Sequence, residues 1–189
     1  MSVLTISGVK LKSAIEKEVK NFAWKENPQW VVLRAVTNLV DDEESTVLKE
    51  SSIRNKYKIL SDEPASRGGA DKAPAPIEHM IASFGQCLCT IYAYHAALNS
   101  ISLDEVEVDA QGYVDMRGVY DPTALANRGL AKVLYETRIK SSGNDDKIKW
   151  LTEISEKCCP AHATLRKACP LEGKILLNGK ELMTVKYSP

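Results

Sequence analysis

The sequence predicts a mixed protein of antiparallel strands and a few long helices. Two observations carry that expectation: apolar residues recur at helical spacing over 77–98 and again over 145–158, and alternating or β-branched runs fill much of the rest. A third is the Asn178-Gly179 pair between two such runs, the strongest short hairpin signal in the chain.

The elements follow in order. Leu11, Ile15, Val19 and Phe22 repeat among lysines and glutamates, which predicts a peripheral helix over about Val9 to Phe22, ended by Asn27-Pro28. Trp30 to Val40 is rich in valine and leucine and reads as a strand. The acidic Asp41-Asp42-Glu43-Glu44 turn leads to a second strand over Thr46 to Ser51, and a third is expected at Lys56 to Leu60, giving a meander. From Ser61 to Pro76 the prolines and the Gly68-Gly69 pair predict a loop without regular structure. Pro76 then suits the start of a long helix over Ile77 to Leu98, on which Met80, Phe84, Cys87 or Leu88, Ile91 and His95 or Leu98 share a face. This helix is apolar nearly all round and is expected to be covered on several sides, in the core or at a subunit interface. Strands are expected at Val106 to Met116 and Ala131 to Ser141, with Asp121-Pro122 as a loop between them. Asn144 or Asp145 caps a second long helix with Ile148, Leu151, Ile154 or Ser155, and Cys158 inward. Pro160 interrupts it, a short helix starts there, and Lys174 to Leu177 with Glu181 to Tyr187 form the closing hairpin.

Composition narrows the function. The 189 residues hold 25 basic and 25 acidic side chains with no basic stripe, so a nucleic-acid surface is not expected. No run approaches the ~20 apolar residues of a membrane helix, and the first residues lack the pattern of a secretion signal. The expectation is a cytoplasmic protein without a membrane partner. Five cysteines make a poor disulfide framework for a secreted chain and point instead to redox chemistry or metal.

Each cysteine has its own reading. Cys159 precedes Pro160 and therefore caps the following helix, where unpaired amides are expected to lower its pKa. Cys158 is in phase with the apolar stripe and reads as core. Cys87 lies on the apolar face of the long helix, where a small buried hydrophobe is the plain reading and a reactive thiol the other. Cys89 is rotated away from it and reads as structural filling; Cys169, before Pro170, reads as a loop residue. A zinc site drawn from Cys87, Cys89, Cys158, Cys159 and His162 is disfavoured, because neither Cys-x-Cys in a helix nor Cys-Cys has the usual ligand spacing. His79 and His95 read as ordinary helix histidines.

One segment adds a resemblance. Pro76-Ile77-Glu78-His79-Met80-Ile81-Ala82-Ser83-Phe84-Gly85-Gln86-Cys87-Leu88 resembles the P-x-E-x-L-L-A-A-L-G-x-C-L signature of the OsmC/Ohr family. Ser61-Asp62-Glu63-Pro64 with Gly68-Gly69 upstream, and Cys159-Pro160 with Thr164-Leu165 downstream, are similar to other segments of that family in order and spacing. The likeness covers about Trp30 to Tyr187, so residues 1–28 read as an N-terminal helical extension and 29–189 as the OsmC-like domain. Together with the Tyr94-His95-Ala96-Ala97 continuation, the extension resembles a longer branch of the family.

The resemblance implies an α+β fold, an OsmC-like intertwined homodimer with antiparallel sheets around two central helices. It implies a thiol-dependent peroxidase that reduces organic hydroperoxides, with Cys87 as the peroxidatic and Cys159 as the resolving cysteine. An external dithiol serves as reductant, and no metal or organic cofactor is needed. Glu78 matches the family's glutamate. Nine residues of helix set it about half a turn round from Cys87, so the two meet only across a dimer interface or through a break near Gly85. For the family's arginine the candidates are Arg54 and Arg34. Phe84, Leu88 and Tyr92 are the expected apolar contacts of the substrate. The alternative reading is a non-enzymatic dimer that binds a hydrophobic or thiol-bearing small molecule.

Overall fold

A computed structural model describes residues 3–21, 30–167 and 169–188. Helix α1 spans Val3–Asn21. It starts earlier than the amphipathic pattern does, since a nucleated helix extends at little cost. Phe22 and the expected break at Asn27-Pro28 lie outside the described residues.

The meander forms as expected: β1 (Ala35–Leu39), β2 (Lys49–Ile53) and β3 (Tyr57–Ser61) pair antiparallel in sequence order. Strand β1 is shorter than its apolar run. Its register ends at Ala35 opposite Ile53, and Trp30 to Leu33 continue without a strand partner and are exposed. Strand β2 starts three residues late because Asp42 folds the acidic segment into a turn, accepting bonds from the Glu44 and Ser45 backbone N–H at 3.0 and 2.9 Å. Three residues, Arg54 to Lys56, join β2 to β3; Arg54 and Asn55 both have positive φ, 55° and 53°, and the Lys56 N–H donates to the Ile53 carbonyl at 3.1 Å to close the turn.

The 61–75 loop is not wholly irregular, because it holds one turn of 3-10 helix at Ala65–Arg67. Helix α2 runs unbroken over Pro76–Leu98, through Gly85. Its N-terminus is closed by Glu78, whose Oε2 accepts the Ala75 backbone N–H at 2.7 Å, the back-bonding half of a capping box. Within the single chain α2 buries one stripe, Phe84, Leu88, Tyr92 and Ala96, each four residues after the last. Met80 and Tyr94 are exposed, so the cover expected on several sides is not supplied within one chain.

Strand β4 (Glu105–Val114) pairs with β5 (Leu130–Lys140). Ion pairs of Glu105 with Lys140 and of Glu107 with Arg138 step in opposite directions along the two strands, as in an antiparallel ladder. A one-turn helix α3 (Arg117–Tyr120), unforeseen in the sequence, precedes the Asp121-Pro122 loop. Helix α4 (Asp145–Cys158) and helix α5 (Pro160–Arg166) follow, then the hairpin β6 (Leu171–Leu177) and β7 (Lys180–Tyr187). Asn178 and Gly179 turn that hairpin with φ of 51° and 79°.

The chain divides into two compact units. One comprises Met1–Lys12, Gln86–Val108 and Thr137–Pro189, the other Ser13–Gly85 and Asp109–Glu136. The core of the first contains Leu88, Tyr92, Leu151 and Cys159, all with 0% exposure. In the second, Phe84 packs edge-on against Tyr135, ring centroids 5.2 Å apart. No helix among the described residues is long and apolar enough to cross a membrane.

A candidate two-cysteine site

The first unit builds its site at the junction of α4 and α5. Asn144 caps α4, its side chain accepting the Lys147 backbone N–H at 3.0 Å, and Asp145 and Asp146 place negative charge at the positive end of the helix. Leu151 and Ser155, one turn apart, are fully buried. The next turn would bring Cys158 and Cys159 to the same side. Cys159 still donates its N–H to the Ser155 carbonyl at 3.0 Å, but Pro160 has no N–H to continue the ladder and Cys159 leaves the helix with ψ of 115°.

That bend corrects the reading of Cys158 as core. The periodicity that places Cys158 inward assumes a straight helix, whereas the bend turns Cys159 inward to 0% exposure and leaves Cys158 exposed. Cys159 is the N-cap of α5, as expected, its Sγ accepting the His162 backbone N–H at 3.5 Å. Its acidity runs opposite to the expectation. Burial pushes the Cys159 thiol up, the neighbouring Cys87 thiol adds to that direction as hydrogen-bond partner and charge, and the His162 and Ala161 amides pull down without prevailing. A neutral thiol loses little on leaving water and a thiolate loses most of its solvation, which is why burial outweighs the cap.

The structure therefore brings Cys87 and Cys159 together, both as free thiols, one partly exposed on α2 and the other fully buried. Cys89 points elsewhere, its Sγ 3.9 Å from the Val106 carbonyl and its pKa pushed up by burial, consistent with a structural thiol. Cys169 is exposed in the segment after α5. Among the described residues no three His, Cys, Asp or Glu side chains cluster as metal ligands would.

The remaining expected site residues fall as follows. Phe84, Leu88 and Tyr92 are 2%, 0% and 0% exposed in the buried stripe of α2, so a ligand touches them only by entering the core. Glu78 is engaged with the Ala75 amide. Arg54 sits in the exposed β2–β3 turn with its guanidinium 5.0 Å from the centre of the Tyr57 ring.

An arginine that the sequence reading passed over lies in the second unit. Arg67 is partly buried, its Nε 3.1 Å from Glu63 Oε2, and lines a cavity of about 320 Å³ with Ile77, Val114, Met116, Val119 and Tyr120. The loop that carries it is wound around the buried Asp62 carboxylate, which accepts bonds from Ser45 Oγ at 2.5 Å and from the Ala70 and Lys72 N–H at 3.0 and 3.1 Å. Gly69 is required there: a Cβ would stand 1.8 Å from the Glu63 carbonyl oxygen and 2.8 Å from Asp62 Oδ1. The sequence signal was available in the Asp62-to-Gly69 segment, where a short carboxylate precedes a proline and two glycines.

The family model described as OsmC-like protein matches residues 69–174, a span that contains Glu78, Cys87 and Cys159. The chain belongs to the OsmC-like family. No curated protein matches it. Among solved structures, an OsmC-like protein from Mycoplasma pneumoniae aligns with a TM-score of 0.60 at 19% identity, covering 73% of this chain and 89% of that one. An OsmC-like protein of unknown function from Vibrio cholerae aligns at 0.57 and 12% identity, over 71% and 94% of the two chains. An organic hydroperoxide resistance protein from Legionella pneumophila aligns at 0.52 and 16%, over 74% and 92%. At these identities the likeness is one of fold. The α+β architecture expected for an OsmC-like protein is thus the one observed.

Proposed function

We propose that this OsmC-like protein is a two-cysteine peroxidase that reduces organic hydroperoxides with electrons from an external dithiol. The observation that supports this reading best is the pair itself: a partly exposed Cys87 thiol beside a buried Cys159 thiol. In the cycle, the Cys87 thiolate attacks the outer peroxide oxygen, the O–O bond breaks, and the alcohol leaves with a proton. The Cys87 sulfenic acid then condenses with Cys159, releasing water and forming a disulfide. The dithiol returns both sulfurs to the reduced state and leaves as its own disulfide. The hydroperoxide resistance protein of the same fold from Legionella pneumophila lends support to the substrate class. Treating the reduced protein with one equivalent of an organic hydroperoxide tests the reading. Two thiols are expected to disappear, and peptide mapping is expected to recover a Cys87–Cys159 bridge. A bridge to Cys158 or Cys169 overturns the assignment.

We infer a homodimer as the working form. Leu171, Leu176, Leu177, Leu182 and Tyr187 are all exposed on the last hairpin, a concentration of apolar surface that a stable monomer rarely leaves in water. Light scattering at micromolar concentration is expected to give twice the chain mass, and a stable monomer contradicts it.

For the arginine of the reaction we propose Arg67 as a candidate beside Arg54, because its guanidinium is partly withdrawn from water, where a charge acts more strongly. Replacing each by Met separates them. Loss of the working arginine is expected to lower the rate with hydroperoxide about 10²-fold or more, the usual cost of removing one electrostatic donor from a reacting centre. We expect that loss with Arg67→Met and near wild-type rates with Arg54→Met; the reverse result assigns the role to Arg54.

The binding-module reading has one observation in its favour, the largely apolar cavity lined by Arg67, which suits a small amphipathic ligand without any turnover. It is the reading that remains if oxidation proves independent of Cys87.

A further inference from the structure

We propose that Ser155 serves the capture step of the cycle: its buried hydroxyl donates a hydrogen bond to the Cys159 sulfur once that sulfur has given up its proton. The inference rests on the two-cysteine reading above and adds a residue to it.

A hydroxyl in the middle of a helix has a ready acceptor in the carbonyl four residues earlier. Thr90, Thr152 and Thr164 use it, bonding the carbonyls of Gln86, Ile148 and Pro160 at 2.9, 3.0 and 2.8 Å. Ser155 does not. It is 0% exposed, and its Oγ has no hydrogen-bond partner among the described residues. A hydroxyl left unpaired in a core weakens the fold relative to the alanine that would fill the same place. The serine is therefore better explained by a second state in which its hydroxyl is used.

The polar side chain next along the same stripe is Cys159. Leu151, Ser155 and Cys159 follow one another at four-residue spacing, all with 0% exposure. Cys159 keeps a helical φ of −72° and donates its N–H to the Ser155 carbonyl at 3.0 Å, so its Cβ still stands where the helix would put it. Side chains four apart on a helix are about 5–6 Å apart at Cβ, a gap that rotation of the serine and cysteine side chains closes to a hydrogen bond. Tyr92, whose hydroxyl is also buried without a partner, faces Thr152 and Thr137 instead. The resting thiol is a weak acceptor and gains little from such a bond, whereas a thiolate gains a charge-assisted one.

In the capture step the Cys159 thiolate bonds to the Cys87 sulfur and the S–O bond of the sulfenic acid breaks. The departing hydroxide takes up the proton that Cys159 released, giving water. Between proton loss and attack, a charge stands in a core where burial outweighs the two cap amides. The titratable groups near that sulfur are Cys87 on α2 and His162 on α5, with Cys158 beside it in the chain and Tyr92 and Glu156 close to one another on α2 and α4. Ser155 differs from all of them in being a donor that does not itself titrate, so it favours the charged sulfur at every pH.

The test compares wild type and Ser155→Ala, as full chains, under an excess of an organic hydroperoxide. The Cys87 sulfenic acid has two fates, capture by Cys159 or further oxidation to sulfinic acid, and mass spectrometry of the Cys87 peptide measures both. Loss of one hydrogen bond to the charged sulfur raises its pKa by about one unit, and the roughly tenfold smaller thiolate fraction is partly offset by the greater nucleophilicity of a more basic thiolate. The sulfinic-to-disulfide ratio of the variant is therefore expected to be about threefold that of wild type at pH 7, with the difference shrinking by pH 10. In urea the variant is expected to unfold at the wild-type midpoint or above it, because alanine removes an unpaired hydroxyl. An unchanged or smaller ratio, or an increase equal at both pH values, overturns the inference. So does a clear drop in the urea midpoint, which shows the hydroxyl already paired in the resting fold. Absence of a Cys87–Cys159 bridge in the wild type overturns the two-cysteine reading, and this inference with it.

Discussion

Cys87→Ser is expected to abolish dithiol-dependent consumption of an organic hydroperoxide, whereas Cys159→Ser is expected to complete one stoichiometric oxidation and then stall or over-oxidise. The two outcomes differ because the first variant has no nucleophile to break the O–O bond, while the second makes the sulfenic acid but lacks the thiol that captures it. Left unresolved, that sulfenic acid goes on to sulfinic acid when hydroperoxide is in excess, a gain of two oxygens on the Cys87 peptide that mass spectrometry reads directly. In the wild type the capture step carries its own pH signature. Burial, the largest cause, holds Cys159 above the ordinary thiol value of 9.0, so disulfide formation is expected to accelerate as the pH is raised towards and past that value. Equal, slow loss of hydroperoxide with wild type and Cys87→Ser favours the binding-module reading instead.

Asp62→Asn is expected to produce the largest loss of stability among the polar substitutions of the second unit, and the loss is expected to depend on pH. Burial alone would raise the Asp62 pKa. The bonds from Ser45, from the backbone N–H of Lys72, Glu63 and Ala70, outweigh it and hold the carboxyl far below its ordinary 3.8. A folded-state pKa below the unfolded one means that the charged carboxylate stabilises the fold fully above pH ~4, and that this contribution is lost as the pH falls through 3.8 towards the folded value. Asparagine keeps the size and one acceptor oxygen, but turns an NH2 towards donors, leaving buried N–H groups without an acceptor. Urea titrations of both chains at pH 7, 5 and 3.5 are expected to show the wild type well ahead at the two higher values and the gap narrowing at the lowest. A gap that stays constant with pH rules out the charge as its cause. Because Arg67 rides on the same loop, the substitution is also expected to change its cavity.

The elements were legible where their signal is local. Pro76 at the head of α2, Asn144 before α4, Cys159-Pro160 at the start of α5 and Asn178-Gly179 in the last hairpin each act through their own φ, their own side-chain acceptor or a missing N–H, and all four stand where the sequence places them. Strand ends were less legible, because a strand ends where its partner does. Trp30 to Leu33 have every local property of a strand, and Ile53 offers no continuation beyond Ala35. The short α3 helix has no periodicity to announce it.

At the site, chain-local chemistry determined how Cys159 is held, because an N-cap before proline is a property of two adjacent residues, whereas Cys87 was singled out only by the family resemblance. Which cysteine faces inward, and with what acidity, was decided by packing. A bend of one residue exchanged the environments of Cys158 and Cys159, and the desolvation that came with burial reversed the effect of the cap amides. The same holds for Asp62 and Arg67. Ser45, Ala70 and Lys72 converge on one carboxylate only after the loop has closed, and no spacing in the sequence encodes that convergence. Backbone geometry is short-ranged and can be read residue by residue, whereas solvation and convergence depend on every element that arrives from elsewhere, and only the tertiary structure contains them.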